Sequence, residues 1–166
     1  GAAILVTACG SKGTDWQAYK AVCDGTPVKT AAPYVRGATS PVIMFQRLTD
    51  SWRLASGYVP EAWSSFGDVT KLQVVACARA SNVKKVQDCT YKGGGRMGLY
   101  DATITLTAVE ARTARVIGTT TLELVNNTAN VASGGCPMVA DAKNQMHVPD
   151  YSERARAFLA PFVTGR

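Results

Sequence analysis

Between residues 99 and 110 the side chains alternate with a period of two. Tyr100, Ala102, Ile104, Leu106 and Ala108 fall on one side, and Asp101, Thr103, Thr105 and Thr107 on the other. A strand with one buried face keeps such a pattern in register, whereas a helix would scatter it around its axis. After a turn at 111–114 the alternation resumes, with Val116, Gly118, Thr120, Leu122 and Leu124 inward and Arg115, Thr119, Thr121 and Glu123 outward. The pattern predicts a long antiparallel hairpin, apolar on one face. Threonine favours strands in general, so the threonine-rich face reads either as solvated or as a surface for a partner.

The remaining elements are read around this hairpin. Pro41-Val42-Ile43-Met44-Phe45 is a short apolar run bounded by turn residues and predicts a buried strand. Residues 72–80 and 86–91 read as two strands joined by a five-residue loop at 81–85. Gly93-Gly94-Gly95 beside Arg96 lacks the Gly-Lys-Ser/Thr of a phosphate loop and is read as a flexible hairpin connection. Asp150 before Glu153 resembles a capping box, opening a helix that lines up Tyr151, Ala155, Phe158, Leu159 and Phe162, with Pro161 ending or kinking it. Residues 48–70 hold Trp52, Tyr58, Trp63 and Phe66 among glycines and serines. They read first as a satellite core on a sheet face, and otherwise as an aromatic platform for sugar. The expected fold is α+β: an antiparallel sheet of four to six strands, a C-terminal amphipathic helix across one face, and two disulfides.

There are five cysteines and no Cys-x-x-Cys spacing. With Cys9 set aside, Cys23, Cys77, Cys89 and Cys136 form an even set that reads as two bridges. In the 72–91 hairpin Cys77 falls opposite Cys89, which predicts Cys77–Cys89 and leaves Cys23–Cys136.

Leu5-Val6-Thr7-Ala8-Cys9, followed by Gly10 and Ser11, resembles the end of a bacterial lipoprotein signal peptide. Val6, Thr7 and Ala8 fill the three positions before the cysteine with aliphatic and small residues. The resemblance implies cleavage before Cys9 and acylation of that residue. Residues 1–8 are then a leader remnant, 9–21 a tether, and 22–166 a single globular domain. Trp16 and Tyr19 of the tether are expected to dock on that domain. Several acyl chains hold a soluble domain firmly on a membrane where one is marginal. The alternative is that residues 2–8 form an ordered strand, within the fold or added to a neighbouring subunit's sheet, with Ile4, Leu5 and Val6 as contact residues. Over residues 72–125, the cysteine-bearing segment, the glycine-rich link and the long hairpin resemble bacterial envelope lipoproteins of mixed α/β fold. This second resemblance carries no catalytic residues with it. Both place the domain outside the cytoplasm, at the outer face of a bacterial membrane or the cell surface.

The net charge of +6 raises the question of nucleic acid, but the 18 Lys and Arg are scattered and Lys84-Lys85 is their only adjacent pair. A generally basic surface is the better reading, and no nucleic-acid partner is expected. No run approaches the roughly 18 apolar residues of a spanning helix. His147 is the only histidine, and no Gly-x-Ser-x-Gly elbow or calcium loop occurs. No catalytic residue, metal or cofactor is therefore assigned. The expected role is a non-enzymatic envelope module that works by protein–protein contact, as an accessory or structural subunit of a larger assembly. Its partners are other envelope proteins or copies of itself, and Trp52, Tyr58 and Trp63 are candidate contact residues. Two alternatives stand beside it: a self-assembling filament subunit that donates residues 2–8 as a strand, and a hydrolase or binder of envelope polysaccharide.

Overall fold

A computed structural model describes residues 15–65, 67–126, 136–137 and 146–166. Ile4, Leu5, Val6 and Cys9, and with them both readings of the N-terminus, lie outside the described residues, as does Phe66. The elements are α1 (Gln17–Lys20), β1 (Val42–Arg47), β2 (Arg53–Leu54), β3 (Val74–Thr90), β4 (Arg96–Glu110), β5 (Val116–Leu124), β6 (Met146–His147) and α2 (Ser152–Val163). The strands form one sheet in the order β2-β1-β3-β4-β5, with β6 pairing onto the far end of β4. α2 crosses one face, and the N-terminal segment, α1 with the 3-10 turn Ala21–Asp24, crosses the other.

β1 explains why the sheet is mixed and not purely antiparallel. Val42, Ile43, Met44 and Phe45 are all buried, two on each face. A strand apolar on both sides belongs in the middle of a sheet with both faces covered, the usual setting of parallel pairing. β1 runs parallel to β3 from Val42↔Val74 to Arg47↔Arg79.

The alternation read at 99–110 is realised in β4. Ala102, Ile104, Leu106 and Ala108 are buried beneath α2, whose Tyr151, Ala155, Leu159 and Val163 are also buried. The helix runs through Pro161 to Val163. The expected capping box is corrected: the cap residue is Tyr151, which makes no side-chain cap hydrogen bond, and Asp150, one residue earlier, accepts the Ser152 N–H at 2.8 Å. Phe162 lies over Gly118, where an added Cβ would meet the ring. One register shift corrects the sequence reading of β5. An irregularity beside Ile117 pairs Val116 with Val109, while Ala108 pairs with Gly118. A bulge re-aims the side chain next to it. Val116 therefore joins Val109 on the threonine side instead of pointing at the helix.

The expected hairpin at 72–91 is corrected as well. Residues 74–90 form one continuous strand, and the hairpin turn is the glycine stretch, where Gly93 and Gly94 adopt positive φ. Ser81-Asn82-Val83-Lys84-Lys85 is not a loop but an irregular stretch of β3. Register shifts occur between Ser81 and Lys84 and between Lys85 and Gln87, and Asn82 has φ 50°.

The disulfide pairing falls with it. Cys77 and Cys89 sit twelve positions apart in a single strand, a separation of roughly 40 Å at the strand rise. The bridges are Cys23–Cys77 and Cys89–Cys136, with Cα separations of 5.6 and 5.7 Å. The first fastens the N-terminal layer to the sheet. The second ties residue 136 to the distal hairpin, where Cys89, Met97 and Leu99 form a small separate core.

Candidate functional site

The face of the sheet opposite α2 is covered over only part of its width. Tyr19 and Val22 of the N-terminal layer are buried against Ile43, Phe45 and Val75, and the Tyr19 hydroxyl donates to the Val69 carbonyl at 2.5 Å. Burial, with the charge of Asp68 adding to it, pushes the ionisation of Tyr19 upward. Trp16 packs on Phe45 with ring centroids 5.9 Å apart. Among the described residues this cover reaches Val109 and Ala111 at the end of β4 and no further, and the face continues as a threonine surface.

That surface is set by the strand register. Thr103, Thr105 and Thr107 of β4 stand opposite Glu123, Thr121 and Thr119 of β5. The β4 threonines are half-buried, while Thr119, Thr121 and Glu123 are exposed. At one end the Thr103 hydroxyl donates to the Glu123 carboxylate at 2.9 Å. The strand leaving β5 is tied back by Asn126, whose backbone N–H and side-chain amide both donate to the Asp101 carboxylate, at 2.8 and 3.0 Å. These two donors, the backbone one first, hold the Asp101 carboxyl below its ordinary range.

Where the covered and open parts meet there is a cleft of about 330 Å³. Its floor is Cys77 of the first bridge with Thr105, Thr107 and Val109. Val22 and Gly25 bound it on the N-terminal side, and Ala114 and Val116 on the side of the β4–β5 turn. Trp52 and Arg79 complete it. The indole N–H of Trp52 donates to Asp24 Oδ1 at 3.0 Å. The Arg79 guanidinium lies 5.4 Å from the centre of the Trp52 ring and 3.6 Å from Asp24 Oδ1. Three residues from three distant segments thus brace the N-terminal turn against the sheet. Asp24 offsets the Arg79 charge locally, so the cleft has an apolar base and hydroxyls without a strong net charge.

A smaller recess of about 150 Å³ lies on the α2 side, between Gln46, Leu48, Tyr58, Asp150 and residues 146–148. It contains His147. Burial, reinforced by Asp150, pushes the Tyr58 phenol upward. Among the described residues lining this recess none is a serine or cysteine.

Of the described aromatic residues singled out in the sequence, Trp52 lies apart from Tyr58 and Trp63. Trp52 is 7% exposed and belongs to the cleft side. Tyr58 and Trp63 pack, half-buried, against the core on the opposite face, with Tyr58 4.5 Å from the Tyr151 ring centroid. With one face of Trp52 under Arg79, the group offers no continuous aromatic platform. The sequence reading missed Asp24 and Arg79, because a brace built from positions 24, 52 and 79 has no local spacing to betray it. The threonine surface was legible in the period-two pattern.

Among the described residues no helix is long and apolar enough to cross a membrane. The two disulfides are compatible with a location outside the cytoplasm. Compared with known proteins, the chain matches no family profile, no curated protein and no solved structure.

Proposed function

We propose that this chain is a non-enzymatic module of the bacterial envelope, held at a membrane through acyl groups on Cys9. It works by protein–protein contact as an accessory or structural subunit of a larger assembly. The observation that carries the reading is the threonine surface of β4 and β5, which among the described residues is uncovered and level with an unpaired sheet edge, and is braced from the other side by α2. β-Branched side chains are stiff at χ1, so a threonine surface loses little side-chain freedom when a partner covers it. Its hydroxyls both donate and accept, which lets it satisfy the polar groups of an incoming chain.

Two measurements test the two parts. The intact mass of protein purified from its native envelope should correspond to a chain beginning at Cys9 and carrying acyl groups; an unacylated chain that retains the preceding residues refutes the anchor. A photo-crosslinking residue at Thr121 should give discrete protein adducts in intact cells. Reaction with water alone at that position, while the same probe on the far side of α2 behaves identically, sinks the contact role.

A further inference from the structure

We infer that the Cys23–Cys77 bridge is a reversible redox latch, which opens and closes by thiol–disulfide exchange with an external dithiol while the domain stays folded. This is independent of the contact role proposed above.

The bridge forms part of the cleft. Both cysteines line it, Cys23 half-buried and Cys77 5% exposed. Exchange needs a thiolate to reach one of the two sulfurs, and Cys23 presents the more accessible one. Among the described residues lining the cleft, Arg79 is the one charged side chain, and it faces Asp24 at 3.6 Å. Asp24 adjoins Cys23 in the chain and also accepts the Trp52 indole N–H at 3.0 Å. With its charge met from two sides, Asp24 does not repel an incoming thiolate. Thr107 stands opposite Cys77 on β4, where its hydroxyl can donate to a sulfur anion.

The exchange balances as follows. One thiolate of the dithiol attacks Cys23 Sγ, the new S–S bond forms, and the Cys23–Cys77 bond breaks. Cys77 leaves as a thiolate and takes a proton from water. The second thiol of the dithiol gives its proton to water and attacks the mixed disulfide. It releases Cys23, which is protonated in turn, and the dithiol departs as a disulfide. The bridge is reduced and the dithiol oxidised.

The position of neither cysteine depends on the bridge. Cys77 lies mid-strand, paired with Phe45 on one side and Thr107 on the other. Cys23 is held from both directions along the chain. Before it, Tyr19 and Val22 are buried and the Tyr19 hydroxyl donates to the Val69 carbonyl. After it, Asp24 is braced by Trp52 and Arg79, and the Val28 N–H donates to the Ala111 carbonyl at 2.9 Å. The two thiols therefore stay within reach of each other and can close again. Opening removes the covalent tie between the N-terminal layer and the sheet and leaves these contacts alone. The redox state of the surroundings thus sets how firmly the layer is held.

The test is reduction of the full chain by dithiothreitol in native buffer, with free thiols blocked beforehand and new ones alkylated and mapped by mass spectrometry. The rate of opening Cys23–Cys77 should rise in proportion to dithiothreitol and be unchanged by urea below the unfolding transition. The protein with this bridge open should keep its near-ultraviolet circular dichroism, and oxidised glutathione should re-form the same pairing. Arg79→Met leaves Asp24 uncompensated and should slow the opening about threefold at low salt, the effect of one charge at roughly 7 Å in water-like surroundings. Adding Asp24→Asn should restore the rate. A rate that levels off with dithiothreitol, or climbs steeply with urea, means that the bridge is reached only through unfolding and overturns the inference. Loss of the near-ultraviolet spectrum on reduction overturns it too, as does faster opening in Arg79→Met, which would mean that the layer must first loosen.

Discussion

Tyr151 joins α2 to the sheet. It is 1% exposed, its hydroxyl donates to Gln46 Oε1 at 3.0 Å, and its ring lies against Tyr58. Burial first, and then the neighbouring Tyr58 and Asp150, push its ionisation far above the ordinary phenol range. A phenol whose pKa is raised by folding binds its proton more tightly in the native state. Its contribution is complete below the unfolded value near 10 and is lost as pH climbs from there towards the folded value. The urea midpoint should therefore hold steady through neutral pH and decline above about pH 10. Tyr151→Phe should cost about 1 kcal/mol at neutral pH, the worth of the lost hydrogen bond. It should also flatten the alkaline decline, leaving the smaller contributions of Tyr19 and Tyr58, which shift in the same direction. An alkaline limb as steep in the variant as in the parent would show that Tyr151 does not govern it.

At the scale of the element, β3 is the strand that had to be learned from the structure. Its first five residues are buried, and from Arg79 to Asp88 it is almost wholly exposed. Sequence periodicity reports the environment of a strand and not its continuity, so Ser81-Asn82-Val83-Lys84-Lys85, polar and turn-like, reads as a loop. The local irregularity was real, since Asn82 does take a left-handed conformation, but the chain spends it on a bulge and continues straight on. A turn at that segment sets Cys77 opposite Cys89 and so predicts a bridge that the continuous strand forbids. β1 and β4 were legible for the converse reason. Val42 to Phe45 are buried on both faces of β1, and from Ala102 to Ala108 β4 alternates buried with half-buried residues. The exposed half of β3 also makes a prediction. If Lys84 and Lys85 keep this edge from pairing, Lys84→Thr with Lys85→Thr should scatter light at concentrations where the parent solution stays clear. The Lys85–Asp88 ion pair lost in the same variant is exposed, and such pairs contribute little. Equal solubility of parent and variant would assign the protection to the bulges alone.

The molecule as a whole is divided unevenly by its two bridges. Cys23–Cys77 lies within the main structure, where Cys77 is buried beside Val75 and Phe45 and forms part of the cleft. Cys89–Cys136 lies at the far end, where the β3–β4 hairpin has outrun both β1 and β5 and is backed by β6 at Gly98 and Leu99. The sequence separations they close, 54 and 47 residues, are nearly equal. A loop-entropy account alone would give them the same value, about 4 kcal/mol each. Packing gives them different ones. Among the described residues the distal core has few buried side chains, and it can open while the rest stays closed, as weakly packed units do. Replacing Cys89 and Cys136 by serine should therefore speed amide exchange in residues 87–90 and 96–99 and leave β1 and the first five residues of β3 protected. Replacing Cys23 and Cys77 should lower protection across β1, β3 and β4 together and reduce global stability by about 2–5 kcal/mol. Hydrogen exchange read by mass spectrometry distinguishes the two patterns. Matching losses across the whole sheet in both variants would mean that the distal hairpin belongs to one cooperative unit with the core. In the two-unit case the threonine surface and the β5 edge stay fixed by the inner bridge, and the distal hairpin can change its geometry without disturbing them.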